Sequence, residues 1–423
     1  MIQSAKSPSY WALVSKQFKK NRIALWSLRL VGVLLFIAVF ADFIANDKPL
    51  YCQIEGKTHF PIAESYLVDL GLKKWDPVFL QGGDWHKLPY EKVRYTLIPY
   101  APKNIDLKNN DYISPFGKQR VKSNWFWHRL GTDQLGHDVA SRMVHGTRTA
   151  MLVGVVAMSI ASFIGIFLGG LAGFFGDHRL KLSRARLVLS LLGLVIGYFF
   201  AFVSRKYALT EGNFGKELAI SLLLFVLVVL VANGIGWLLE RLPILQKQVP
   251  IPADLLVMRF IEILNSIPAL LLLLAIVATI KKSSIFHVMV IIGLIRWTGI
   301  ARFIRAELLR IRNMEYVEAA RAIGLSEWRT LFRHAIPNAL TPVLIAISFG
   351  IAGSILLEAF ISFLGIAKPD ASWGELLTHA RTYPKAWWMA LFPGFAIFIT
   401  VTLFNLIGEG LTEALDPKRI QKS

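Results

Sequence analysis

The chain has 423 residues, 54% of them hydrophobic, and a mean hydropathy of +0.50, which excludes an ordinary water-soluble domain. A net charge of +19 would suggest nucleic acid in a soluble protein, but here the basic residues follow the edges of apolar runs instead of forming one aromatic-laced patch, which argues against nucleic-acid binding. The single cysteine, Cys52, rules out an intramolecular disulfide and a cysteine-based zinc site.

Several apolar runs approach or exceed the ~20 residues needed to cross a bilayer. Residues 1–45 read as a cytoplasmic N-terminus and a first span near 24–45, preceded by Lys16, Lys19, Lys20 and Arg22. The basic start and apolar middle are like a signal peptide, but the run is too long and lacks a small-x-small cleavage site, so a retained anchor is expected. Residues 46–145 form the one large soluble region. Trp75, Asp76-Pro77, Gly82-Gly83, Trp85, Pro89, Pro102 and Pro115 punctuate it, which predicts short strands and loops, a mixed or β-rich structure.

A second span occupies 146–176, and residues 177–250 carry two further spans near 186–203 and 218–239. Residues 251–414 hold spans near 263–280, 284–304, 338–364 and 388–410, with a basic loop at 306–337 and a tail at 415–423. Arg302, Arg305, Arg310, Arg312, Arg321, Arg329 and Arg333 lie in and around that loop, and Lys418, Arg419 and Lys422 end the chain. By the positive-inside rule the loop and both termini are cytoplasmic, a parity that eight spans satisfy, and 46–145 is external. A thiol reagent added from outside is then expected to reach Cys52 unless it is folded away.

Within the basic loop, the stretch from Glu315 through Glu318, Ala319, Ala320 and Arg321 to Gly324 reads as a short helix with two adjacent small residues and a glycine stop. A second short helix and an exit marked by Pro337-Asn338 follow. Gly324 suits the left-handed position after a helix C-terminus, and Ser326 is a suitable N-cap. Ala319 and Ala320 leave a shallow face for a cytoplasmic partner. On the external side, Leu130-Gly131-Thr132-Asp133-Gln134-Leu135-Gly136-His137-Asp138 and Ser141-Arg142 predict tight turns that cap the start of a transmembrane helix, a bland reading set against a metal or catalytic role.

At these residues the chain resembles the C-type permease of dipeptide, oligopeptide and nickel ABC importers. The glycine-stopped helix is similar to the "EAA" coupling loop, which in that family seats in a cleft of the ATPase subunit. The Gly131–Asp138 turn, Phe363-Leu364-Gly365 with Pro369 and Ser372-Trp373-Gly374, and the end from Phe404-Asn405 through Gly408-Glu409-Gly410 to Asp416-Pro417 follow the family's order and spacing. Asn46-Asp47-Lys48-Pro49 and the long external region also resemble the subgroup importing microcin C and larger peptides. His137 stands where the family usually has Arg, His334 where it has an aliphatic residue, and Glu262 where it has Asp. The insert at 177–250 has only a short turn as its family counterpart.

The resemblance implies an all-α polytopic membrane protein: a six-helix type I importer core, an inserted hairpin and an external soluble region. It implies a permease that moves di- or oligopeptides, or alternatively nickel or another small solute, across the bacterial inner membrane. Its partners would be a second permease subunit in a heterodimer, two ATP-binding cassette subunits, an external binding protein and the bilayer, with Glu318, Ala319, Ala320, Gly324 and Pro337 coupling to the ATPase. The hairpin is expected to be peripheral and dispensable for substrate passage.

The chain itself has no phosphate-binding loop. Gly212-Asn213-Phe214-Gly215-Lys216-Glu217 has the wrong glycine spacing, and Glu where Ser or Thr must reach magnesium. ATP and Mg are therefore expected to be used by a separate subunit, with no cofactor, metal or enzymatic activity on this chain. Ionisable residues inside spans are costly and become functional candidates. Glu358 either lines a translocation path, meeting a peptide's ammonium group, or pairs with an Arg or a backbone group of the partner permease. Asn265 and Pro268 are, with Glu358, candidates for the translocation path; they sit at a candidate break in a span, and Pro393-Gly394 at another, either hinges for alternating access or packed kinks. A secondary transporter or intramembrane enzyme is the rival class, but no internal repeats are visible.

Overall fold

The computed structural model describes residues 10–80, 84–242, 247–280, 284–367 and 370–415. Gly82-Gly83, Pro369, Asp416-Pro417 and the terminal Lys418, Arg419 and Lys422 lie outside them. In chain order the elements are α1 (Tyr10–Lys20), α2 (Arg22–Val39), α3 (Ala41–Ile44), β1 (Tyr51–Ile54), β2 (Lys57–His59), α4 (Pro61–Asp69), α5 (Pro77–Leu80) and β3 (Lys92–Arg94). There follow α6 (Val139–Phe175), β4 (Lys181–Ser183), α7 (Arg184–Tyr198), α8 (Lys206–Glu211), α9 (Phe214–Leu239), β5 (Gln248–Pro250), α10 (Ala253–Asn265), α11 (Ala269–Thr279) and α12 (Ile285–Ile311). The chain closes with α13 (Glu315–Ala322), α14 (Glu327–Thr330), α15 (Ile336–Ala339), α16 (Thr341–Phe363), α17 (Trp373–Thr382) and α18 (Trp388–Ala414).

Two compact units result, one from residues 1–155 with 351–423 and one from 156–350. In the first, α2 lies along α18, where Gly410 lets the helices close on Ala24: a Cβ at Gly410 would stand 2.2 Å from the Ala24 methyl. Val31, Met151, Ile355, Trp373, Phe404 and Ile407 fill the interior. Its soluble part is built on a three-stranded antiparallel sheet in the order β2-β1-β3, with Cys52 opposite His59 on one side and Val93 on the other. Cys52 points into a cluster with Ile54, Phe79, Trp75 and Trp85 and is 0% exposed, so the exception attached to the expected labelling applies: the thiol is folded away.

In the second unit, α6 and α12 interlock through glycines. A Cβ on Gly165, Gly169 or Gly173 would stand 2.9, 2.4 and 2.7 Å from the carbonyl oxygens of Trp297, Ala301 and Arg305. Helices gain no hydrophobic driving force against lipid, so this closeness of backbones supplies the attraction. The helices of the insert, α7 and α9, pack on each other. Gly193 sits beside Ala232, and Asn233 donates to Ser190 at 2.8 Å. Arg205 pairs with Glu217 at one end and Arg186 with Glu240 at the other. An antiparallel ribbon of β4 and β5 pairs Leu182 with Val249 and closes the stem of this hairpin.

Among the described residues seven helices are long and apolar enough to cross a bilayer. The span predicted near 263–280 is not a straight helix. It is the pair α10 and α11, bent by 77°, so the total reaches eight only if the pair counts as one span. Pro268 has no N–H for the Leu264 carbonyl, and the chain turns there. Pro393 behaves differently: α18 continues through it, because a proline five residues past the helix start removes only one backbone hydrogen bond.

Candidate functional site

The 315–340 segment is a helix–turn–helix knuckle. α13 buries Val317 and Ala320 and turns Glu315, Glu318, Ala319 and Ala322 outward. The expected face of two alanines is thus corrected to one, since adjacent residues on a helix are about 100° apart and only Ala319 is presented. The Leu325 amide donates to the Ala320 carbonyl at 3.1 Å and the Gly324 amide to Arg321 at 2.9 Å, closing a left-handed stop with Gly324 at φ +81°. Ser326 Oγ accepts from the Arg329 amide and starts α14. Pro337 is exposed near the start of α15, which continues directly from a wide helical turn at 331–335.

Around the Gly324 turn, Ile323 is 77%, Trp328 44% and Phe332 50% exposed, with the two rings stacked at 6.0 Å. The knuckle is tied to the end of α6: Trp328 lies 5.0 Å from Phe175, and the Arg321 guanidinium sits 5.3 Å over Phe174. Arg321 also donates to Glu327 at 3.0 Å and to the Arg312 carbonyl at 3.2 Å. The apolar set Ile323, Trp328 and Phe332 is thus exposed on a segment braced against the end of α6.

The intramembrane candidates separate. Glu358 is 1% exposed, and its Oε1 accepts from Ser362 at 2.8 Å and Ser372 at 2.7 Å. The structural alternative for Glu358 therefore has its partners within this chain. Asn265 and Pro268 are exposed at the bend between α10 and α11, beside a cavity of ≈ 380 Å³ that they line with Leu264, Leu294, Ile295 and Arg302. Thr298 donates to Asn265 Oδ1 at 3.3 Å.

The family-like turn at 131–142 forms a dense polar network at the start of α6. Asp133 Oδ1 accepts from the Leu135 and His137 amides, each at 2.9 Å, and its Oδ2 meets Arg142 Nη1 at 2.8 Å and His137 Nδ1 at 2.7 Å. Asp138 accepts from the Ser141 amide at 2.6 Å and meets His128 Nδ1 at 2.8 Å, while His128 Nε2 lies 3.3 Å from Asp106. Burial would raise the Asp133 carboxyl, but His137 and Arg142 outweigh it and hold the pKa at about 2. The carboxylates of Asp133 and Asp138 are all engaged in turns, a cap or ion pairs, while Ser141 Oγ and Arg142 Nε have no partner among the described residues, so the bland reading of this motif describes most of its geometry. Trp388 Nε1 donates to the Thr132 carbonyl at 3.2 Å, and Trp373 Nε1 to that of Met143 at 3.1 Å. Motifs far apart in the chain are thereby brought to one place. Sequence reasoning did not find this meeting, nor the glycine ladder of α6, although the four-residue spacing of Gly165, Gly169 and Gly173 was a readable signal.

The long apolar helices define a polytopic membrane protein. Residues 232–421 match the family described as binding-protein-dependent transport system inner membrane component, and residues 9–60 match the N-terminal TM domain of oligopeptide transport permease C. The chain is 28% identical to the peptidoglycan transport system permease protein YejE of Agrobacterium fabrum, over 96% of this chain and 92% of that one. It is 30% identical to the oligopeptide transport system permease protein OppC of Haemophilus influenzae, over 69% and 71%, and 30% identical to the glutathione transport system permease protein GsiD of Pectobacterium atrosepticum, over 69% and 73%. The chain belongs to the family of C-type permeases of binding-protein-dependent ABC importers, multi-pass components of the inner membrane.

Proposed function

We propose that this permease imports peptides delivered by an external binding protein, with a separate ATPase seated on the 306–337 loop. Relatives named for oligopeptide and glutathione transport share a peptide backbone in their substrates, which favours peptides over nickel. The observation that carries the coupling role is the exposed set Ile323, Trp328 and Phe332 around the Gly324 turn. Glu318, Ala319, Gly324 and Pro337 form or flank that surface, with Ala320 as its inward anchor. A second permease subunit completes the pathway, two ATPase subunits consume ATP and Mg, and this chain binds no cofactor. The basic loop and both termini face the cytoplasm by the positive-inside rule, leaving 46–145 external. The 177–250 hairpin, of whose second helix only 6% is buried in the most apolar window, is peripheral and dispensable for passage.

The test is Ile323→Asp and Gly324→Val in the importer purified from membranes. Ile323→Asp should abolish co-purification of the ATPase while the permease still accumulates. A Cβ at Gly324 has nothing within 4 Å, so Gly324→Val acts through backbone strain at φ +81° and not through a clash. It should lower transport-coupled ATP turnover with the ATPase still bound. Wild-type coupling in both variants would refute the assignment.

A further inference from the structure

We infer that the bend between α10 and α11 holds an anion subsite in which Arg302 receives the terminal carboxylate of the peptide in transit. This rests on the peptide-import reading. The bend opens a cavity of ≈ 380 Å³ lined by Leu264, Asn265, Pro268 and, from α12, Arg302. Thr298, one helical turn from Arg302, holds Asn265 by its Oδ1, which leaves the amide N–H groups of Asn265 available to an acceptor.

Arg302, like Arg296 earlier on α12, has no carboxylate partner among the described residues, whereas Arg305 pairs with Asp254, Arg310 with Glu307 and Arg259 with Glu262; of the two unmatched arginines, Arg302 is the one that lines the cavity. Arg302 lies toward the basic end of α12 with its side chain exposed, where a guanidinium is free to meet an anion that enters the cavity. Its planar fork suits a carboxylate better than any neutral group. Discontinuous helices are also where transporters expose polar backbone to solutes, and Pro268, which lines this cavity with Leu264, has no N–H to offer the Leu264 carbonyl. Cavity, free donors and unmatched charge therefore define a site for an organic carboxylate. The competing explanation is an arginine that reaches to lipid headgroups.

The experiment uses the complete importer with its binding protein, purified from membranes and placed in proteoliposomes, and compares uptake of a tripeptide with uptake of its C-terminal amide. Any preference of the binding protein is common to all permease variants, so it cancels when their acid-to-amide ratios are compared. Arg302→Gln should reduce that ratio about tenfold, the loss of one charge-assisted contact, while Arg302→Lys should retain most of it. Equal loss for acid and amide, the outcome for a headgroup-binding arginine, would overturn the subsite. So would an unchanged ratio in Arg302→Gln, although peptide import itself would then stand. If the wild-type importer moves neither peptide, the import reading fails and the subsite falls with it.

Discussion

Arg142 and Glu375, 233 positions apart, meet in a two-pronged ion pair: Arg142 Nη2 lies 2.8 and 2.7 Å from the two carboxylate oxygens, and its Nη1 reaches Asp133 at 2.8 Å. One guanidinium thus joins the start of α6 to the first turn of α17. Removing it takes one charge partner from the fully buried Asp133 carboxylate, which keeps only His137 and two amides, a larger cost than losing a surface pair. Arg142→Ala should destabilise the protein by about 3 kcal/mol, measured by thermal unfolding in detergent. Arg142→Lys should recover only part of this, because an ammonium cannot reproduce the fork. Wild-type stability in Arg142→Ala would show that the network contributes nothing.

His128 should make stability fall at alkaline pH. Burial lowers its pKa, but the hydrogen bonds and charges of Asp106 and Asp138 outweigh burial and raise it to about 9. With the folded value above the unfolded one, the contribution is complete below about pH 6.5. It declines as pH rises toward about 9 and is gone above that. The melting temperature of the wild type should drop across this window, and that of His128→Asn should be flatter. Parallel curves would remove His128 from the account.

The glycine ladder predicts a sharp contrast between adjacent positions. Gly169→Ala places a methyl 2.4 Å from the Ala301 carbonyl, whereas at Gly170 the nearest atom is 3.7 Å away. Overpacking of this kind typically costs about 1–3 kcal/mol, so Gly169→Ala should lower the melting temperature clearly and Gly170→Ala scarcely. Equal behaviour of the two would mean that α6 and α12 are not in this register.

Topology can be read with thiols. Burial pushes the Cys52 thiol up to about 11, and the side chain is enclosed, so the native protein should label slowly and label fully only after unfolding. In a Cys52→Ser background, Leu107→Cys should label from outside intact spheroplasts and Ser326→Cys only after permeabilisation, both positions being exposed. External labelling at Ser326→Cys would reverse the proposed orientation.

The sequence alone determined the all-α membrane class and the approximate positions of the straight spans, because a long apolar run can satisfy its backbone in lipid only as a helix. It also determined the stop at Gly324 and the cap at Ser326, since φ and capping depend on a few neighbouring residues. Tertiary structure decided the rest. The burial of Cys52 depends on Trp75, Phe79 and Trp85 closing over β1, and the pairing of Arg142 with Glu375 on helices brought together from distant parts of the chain. Pro268 announced a break, but the 77° turn and the cavity beside Arg302 were set by how α11 packs on α12. Local conformation follows from local chemistry, whereas partners distant in sequence are chosen by packing, which no short stretch of residues encodes.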